Sequence, residues 1–293
     1  MPPIDEVENE RRSLLGLCYR MLGTVADAED AVQETYVRWY RLPEAERAAI
    51  RNPGAWLTRV AGRVCLDMLG SARARRERYV GEWLPEPVPG DSPLAATVSV
   101  DPIDRVTLDD SVSMALLVML ESLTPAERVA FVLHDVFAVP FGEIAEAVGR
   151  SPEAVRQLAS QARRRVREHR EGTATREQHD AVARAFASAA STGDFDALVS
   201  VLDPDVVLRS DGGGRVSAAR RPVLGADRVA RFLLGLPRLE PGAVLAPIQT
   251  PDGMGFLAMV DGRTIAVFSL RVSGGAITDV YVMRNPDKLT QWA

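Results

Sequence analysis

The chain has 293 residues, a formal net charge of −5, 46% hydrophobic residues and two cysteines. It is long enough for two or three domains with real cores. No stretch of membrane-spanning length is apolar throughout, and the amino terminus (MPPIDEVENE) is acidic rather than signal-like, so a cytoplasmic protein with no membrane contact is expected.

Residues 5–78 read as all helical. Leu14, Leu15, Leu17, Cys18, Met21 and Leu22 form one apolar face, and Gly23 ends that helix. Thr24 caps a second helix from Val25 to Tyr40, whose first turn (Asp27, Glu29, Asp30) carries the negative charge a helix dipole favours. A polar loop spans Arg41 to Asn52. Asn52-Pro53 then caps a helix through Trp56, Leu57, Val60, Val64 and Leu66. Cys18 and Cys65 lie among apolar neighbours and read as buried thiols. His134, His169 and His179 are scattered without zinc-ligand spacing, so neither a metal nor another cofactor is expected.

Residues 79–110 form a Pro-rich, acidic connector with too little apolar periodicity for a core of its own. A helix-turn-helix follows over 111–170. Thr124-Pro125-Ala126-Glu127 is a capping box with proline at the first helical position, and the helix it opens runs to about Asp135. A short helix covers Phe141 to Val148, Gly149 stops it, and Ser151-Pro152 opens a third. On that third helix Val155, Leu158, Ala162 and Val166 make a narrow apolar seam. Glu153, Arg156, Gln157, Ser160, Gln161, Arg163 and Arg164 are left facing away. Such a face suits a major groove, where Arg and Gln pair with guanine and adenine edges and later arginines meet phosphates.

The negative net charge is segregated. Residues 175–293 hold 13 basic and 13 acidic side chains. Arg73, Arg75, Arg76 and Arg78 make one basic cluster and the run from Arg163 to Arg170 another. In the connector between them, 79–110, Glu82, Glu86, Asp91, Asp101, Asp104, Asp109 and Asp110 face only Arg105. Charge in blocks argues for several partners along one chain.

From about 175 onward the pattern changes. Arg176 to Ala190 is an amphipathic helix, and Thr192-Gly193-Asp194-Phe195 turns into a second that ends near Leu202. Asp203–Leu208 begins a strand, and Phe256–Val260, Thr264–Leu270 and Ala276–Arg284 are further strands. Asp261-Gly262 and Ser273-Gly274-Gly275 separate the last three as hairpin turns. Helices followed by a curved antiparallel sheet suggest an α+β cone.

The block from Asp27 to Tyr36 (DAEDAVQETY) with Trp39 resembles region 2.2 of extracytoplasmic-function sigma factors. Asn52-Pro53-Gly54-Ala55-Trp56-Leu57 resembles the start of their region 2.4 helix, and Leu123–Arg128 the start of their region 4. Residues from 175 on are similar to SnoaL-like (NTF2-type) domains. Asp211-Gly212-Gly213-Gly214-Arg215, Asn285-Pro286-Asp287-Lys288-Leu289 and Trp83-Leu84-Pro85-Glu86-Pro87 together resemble the sigma-J type, in which such an extension is fused to the sigma domains. Arg215 departs from the Lys expected there, which keeps charge but not a compact ammonium contact.

The resemblance implies a multidomain fold: two all-α sigma domains (5–78 and 111–170), the linker, and an α+β cone at 175–293. It also implies an alternative sigma factor, with RNA polymerase core and promoter DNA as partners. Asp27, Asp30, Gln33, Glu34 and Arg38 would meet the polymerase clamp coiled coil. Arg51, Asn52, Trp56, Arg59 and Arg63 would face the opened −10 strand, although Trp56 reads equally well as core. The outward face of the third helix would read the −35 element. The acidic connector would thread the polymerase RNA path, or serve only as a flexible linker. Trp83, Pro85, Glu86, the loop Asp211–Arg215 and the loop Asn285–Leu289 would meet in a contact that regulates in cis without a separate anti-sigma protein. Lys288 or Arg215 is expected to pair with Glu86.

Two other classes stay open. A repressor that never engages polymerase would leave the Asp27–Trp39 block idle. A cyclase or isomerase fused to a helical module needs an acid–base pair, and the strands offer only Asp261 and Asp279 at or near turns, with Tyr281 as a donor. The cone could also hold a small-molecule ligand as a sensor, or serve only as a protein dock.

Overall fold

The computed structural model describes residues 10–76, 79–94, 112–170, 172 and 174–292. The expected linker acids Asp101, Asp104, Asp109 and Asp110 lie outside them. The chain divides into two compact units: 1–77, 93–112 and 119–169 in one, and 78–92, 113–118 and 170–293 in the other.

The first unit is helical. Helix α1 (Arg11–Leu22) ends at Gly23, whose positive φ of 80° suits glycine and whose N–H donates to the Tyr19 carbonyl. Thr24 caps α2 (Val25–Arg41) by accepting from the Asp27 amide. The segment read as a polar loop contains a six-residue helix, α3 (Glu44–Ala49), which buries no residue and so leaves no apolar period to read. Helix α4 runs Pro53–Arg76. Leu14, Leu17, Cys18 and Met21 of α1 bury against Ala28, Ala31 and Val32 of α2 and Leu57, Ala61, Val64 and Cys65 of α4. The two thiols touch there, and burial pushes the Cys65 thiol up from its ordinary value. Arg20 is buried in the same unit, where it donates to the Gly16 and Leu94 carbonyls, and burial lowers its guanidinium to about 10.

Beyond the linker come α5 (Met114–Glu121) and α6 (Pro125–Phe131), the latter with both bonds of its capping box in place. The helix expected to reach Asp135 widens into a π turn over Val132–Val136. Helix α7 (Phe141–Val148) ends at Gly149, and α8 (Pro152–Arg170) follows. Val155, Ala159, Ala162 and Val166 form the buried seam of α8, while Leu158 is only half-buried.

The second unit carries helices α9 (Arg176–Thr192), α10 (Phe195–Ser200) and α11 (Ala226–Leu239) with six strands. These are β1 (Leu202–Asp211), β2 (Val223–Leu224), β3 (Val244–Thr250), β4 (Gly253–Val260), β5 (Arg263–Ser273) and β6 (Ala276–Met283). They form one sheet in the order β2-β1-β6-β5-β4-β3. The expectation of an antiparallel sheet needs correcting, because β1 pairs β6 in parallel. Asp261 and Gly262 both take positive φ, 49° and 75°, as the tight β4–β5 hairpin requires.

Alternation on β6 assigns the two faces of the sheet. Val280 and Val282 join Phe186, Leu198, Val229, Leu208 and Leu270 in the core beneath the helices. Tyr281 and Met283 point the other way and, with Val267, form a second cluster with Leu84, Met114, Ala115 and Leu289. This α+β architecture is the type expected for a SnoaL-like extension.

Candidate functional site

Three groups of residues answer to the three expected contacts, and each is built by its local structure. On α2, Asp30 and Gln33 are exposed and Glu34 pairs with Arg38 at 2.9 Å, one helical turn on. Asp27 is partly used at home, accepting from the Thr24 hydroxyl at 2.8 Å as part of the cap. Beside this face Arg11, Glu29, Val32, Gln33, Tyr36 and Tyr40 line an open cleft of about 630 Å³.

At the start of α4, Arg51 and Asn52 are exposed, and the Asn52 carboxamide caps the helix by accepting from the Ala55 amide at 3.0 Å. Trp56 is half-buried, edge-on to the buried Trp39 with ring centroids 5.1 Å apart. Arg59 and Arg63 are held within the first unit by α7. Arg59 pairs with Glu143 at 3.6 Å and Glu146 at 3.3 Å, and Arg63 donates to the Ala147 carbonyl at 3.0 Å. Gly62 between them packs against the π turn, where a Cβ would lie 2.8 Å from the Leu133 side chain.

On α8, Glu153, Arg156, Gln157, Ser160, Gln161, Arg163 and Arg164 are all exposed. Arg156 sits over the Phe141 ring at 5.5 Å, and the Glu153 carboxyl is lowered from its ordinary value by its own backbone amide, then by the Ser151 hydroxyl. Arg163 pairs with Asp135 at 2.8 Å.

The third group lies wholly in the second unit and centres on Asp211, which has no exposed surface. One carboxylate oxygen accepts from the Tyr79 hydroxyl at 2.6 Å and the Gly213 amide at 2.9 Å. The other accepts from the Leu84 amide at 3.0 Å and the Lys288 ammonium at 2.8 Å. Lys288 also donates to the Leu84 carbonyl at 2.6 Å and lies 4.1 Å from the Trp83 ring centroid and 5.1 Å from that of Tyr79. Asn285 donates to the Tyr79 oxygen at 2.8 Å. Burial, then the bond to Asp211, push the Tyr79 phenol well above its ordinary value.

The glycines make this closure geometric. Gly213 has φ 62°, and a Cβ on it would lie 2.5 Å from the Asn285 amide group. A Cβ on Gly214, at φ 70°, would lie 3.0 Å from Val80. The loops Asp211–Arg215 and Asn285–Leu289 therefore meet the segment from Tyr79 to Val88, in which Leu84, Pro85, Glu86, Pro87 and Val88 are all buried.

The partners differ from those expected. Asp211, not Glu86, takes the Lys288 ammonium, because β1 delivers a carboxylate into the closed site. Arg215 pairs with Asp287 across the two loops at 3.0 Å. Glu86 accepts from the Thr290 hydroxyl at 3.3 Å, and the Trp292 indole donates to the Pro87 carbonyl at 2.8 Å. The connector's first half, read as lacking a core, is buried on a core that the extension supplies. Tyr79, Thr290 and Trp292 were missed; Tyr79 and Trp292, as isolated aromatics at segment ends, were the available signal.

The catalytic alternative loses its donor. Tyr281 is buried on the sheet face turned away from α9, α10 and α11, in the cluster with Leu84. Asp279 lies in β6 near the β5–β6 turn and is engaged by Arg209 at 3.0 Å and Arg271 at 3.3 Å.

The family model for Sigma-70 region 2 matches residues 7–75, and that for Sigma-70 region 4 matches residues 113–166. ECF RNA polymerase sigma factor SigJ of Mycobacterium tuberculosis is 42% identical over 98% of this chain and 93% of its own length. A probable ECF RNA polymerase sigma factor SigI of the same species is 41% identical over 95% of this chain and 92% of its own length. The crystal structure of the M. tuberculosis extracytoplasmic function sigma factor SigJ matches with a TM-score of 0.74 at 37% identity, covering 98% of each chain.

Proposed function

Because the chain belongs to the extracytoplasmic-function RNA polymerase sigma factors, which direct core polymerase to promoters and are not enzymes, we propose that its extension controls that activity in cis by holding the linker between the two sigma domains. The observation that carries this reading is the buried Asp211–Lys288 pair closed over Tyr79, Trp83 and Leu84. A sigma linker must be free to follow the path polymerase offers it. One whose first half is buried on a folded neighbour begins from a defined geometry.

Within this reading the exposed face of α2 (Asp27, Asp30, Gln33, Glu34, Arg38) engages the polymerase clamp coiled coil. Arg51, Asn52, Trp56, Arg59 and Arg63 serve the −10 strand, and the outward face of α8 the −35 duplex. No separate anti-sigma protein is required, since the extension does its work. A small molecule in the extension would switch activity only by binding the docked and undocked arrangements with different affinity. No described helix is long and apolar enough to cross a membrane.

Transcription reconstituted with core polymerase and a promoter library tests the reading. Deletion of everything after Thr175 removes the fold that buries the linker, whereas deletion of 285–293 removes the linker contacts of Asn285, Lys288, Thr290 and Trp292. The two truncations should change promoter output differently from each other and from the full chain. Equal output from all three proteins refutes control in cis.

A further inference from the structure

Helix α5 (Met114–Glu121) opens the region 4 match, yet its own sequence leaves its start incomplete. The four amides of a helix's first turn have no partner inside the helix, and α5 carries no acidic residue in that turn. Ser113 supplies one acceptor, its hydroxyl taking the Leu116 amide at 3.1 Å, while the first regular helical bond runs from the Leu117 amide to the Ser113 carbonyl at 2.9 Å. The Met114 and Ala115 amides belong to buried residues, which water does not readily serve. Both donate to the carboxylate of Asp252, at 2.8 and 3.4 Å, from a residue 138 positions further along the chain.

Asp252 sits at the tip of the β3–β4 hairpin, where Thr250 pairs with Gly253 across a two-residue turn. That tip is fixed from several sides. The Thr250 hydroxyl donates to the Gly253 carbonyl at 2.8 Å, and Met254 donates to Asp180 of α9 at 2.8 Å. Arg176 donates to Gln249 at 2.9 Å, and the Gly90 amide to the Gln249 carbonyl at 3.0 Å. Gly253, at φ 130°, lies so close to the His179 ring that no side chain fits between them. The carboxylate is thus presented by a braced hairpin, and it also supplies the negative charge that a helix N-terminus favours.

We propose that Asp252 is a positioning residue for promoter recognition: the extension completes the N-terminal cap of the first region 4 helix from far along the same chain. Residues 114–118 of α5 pack with the second unit, whereas residues 119–121 belong to the first. There Glu121 pairs with Arg128 of α6 at 2.6 Å, and Arg128 donates to the Met21 carbonyl at 2.8 Å. The helix whose start Asp252 caps thus ends at a residue paired within the first unit. Loss of the cap frays the first turn and loosens the −35 reader while its own fold stays intact. The inference deepens the reading of the extension as a regulator in cis and rests on it.

The test uses full-length Asp252→Ala and Asp252→Asn, each assembled with core polymerase. Amide exchange of Met114 and Ala115 should quicken about 3- to 30-fold in Asp252→Ala, the loss a helix cap represents, with amides of α8 and β6 unchanged. Discrimination between matched and mismatched −35 elements should fall at least about 3-fold, with discrimination at −10 preserved. Asp252→Asn keeps an oxygen acceptor without the charge and should fall between. Wild-type exchange at both amides, or quickened exchange with −35 discrimination untouched, overturns the proposal. If deletion of 285–293 alters output while Asp252→Ala does not, the Asp252 inference alone fails. If no truncation matters, the regulatory reading fails with it.

Discussion

Replacement of Lys288 by Met tests how the linker is held. The substitution removes one positive charge and keeps most of the side-chain volume, leaving the fully buried Asp211 carboxylate with three neutral donors: the Tyr79 hydroxyl and the Gly213 and Leu84 amides. Breaking a buried ion pair from one side costs about 3–5 kcal/mol, because the remaining charge stays desolvated. At about 1.4 kcal/mol per tenfold, the docking equilibrium of the Tyr79–Val88 segment should weaken about 100- to 4,000-fold. The apolar anchors Leu84 and Val88 contribute about 1.5–3 kcal/mol each at most, so the lost term is comparable with what remains. Hydrogen exchange at the Leu84 amide reports the change directly, since that N–H donates to Asp211. Exchange should rise by at least about 100-fold in Lys288→Met. The double variant with Asp211→Asn should recover most of the protection, because neither partner is then left as an unpaired charge. Wild-type protection in the single variant, or strictly additive effects in the double-mutant cycle, would refute the reasoning.

Two further outcomes follow from the exposed faces of the first unit. Asp30→Arg reverses a charge on an exposed position of α2; it should abolish capture by core polymerase in a pull-down while circular dichroism stays unchanged. Arg156→Ala should cost about 1–3 kcal/mol at one −35 base pair, whereas Arg163→Ala, after release from Asp135, should weaken all promoters alike and reduce the salt slope by about one; a uniform loss in Arg156→Ala would make that residue a phosphate contact.

Much of the helical architecture was legible because its signals are local. Gly23 and Gly149 stop helices through positive φ, and Thr24 and Thr124 start them by accepting an amide three residues on. The failures have physical causes too. Helix α11 contains Gly235 and Pro237, which break the composition a helix usually shows. Strand β3 is an edge strand with Pro247 and exposed Val244 and Leu245, so it lacks the alternation of a half-buried strand. The parallel β1–β6 pair joins residues about 70 apart, a relation no local window contains. The candidate site divides in the same way. Its loops were marked by Gly-rich and Asn-Pro sequences, but the Asp211–Lys288 pairing depends on the register of β1 against the turn after β6. Residues 84–88 read as unburied because the surface that buries them is encoded about 200 residues later.

The arrangement of Arg59 and Arg63 bears on how a promoter enters. Both would serve the −10 strand, yet in the first unit both are engaged by α7, through Glu143, Glu146 and the Ala147 carbonyl. Glu146 is largely exposed and Arg59 partly so, and ion pairs of that kind are worth about 0–1 kcal/mol each and weaken with salt. Contacts that weak would not keep a phosphate backbone from displacing them. The Asp211–Lys288 contact is of the opposite kind, buried and costly to break from one side. In the proposed reading, the exposed pairs of Arg59 would be exchanged for nucleic acid, whereas the buried Asp211–Lys288 pair would not be. Control of the second, rather than promoter concentration, would set whether the sigma linker is released.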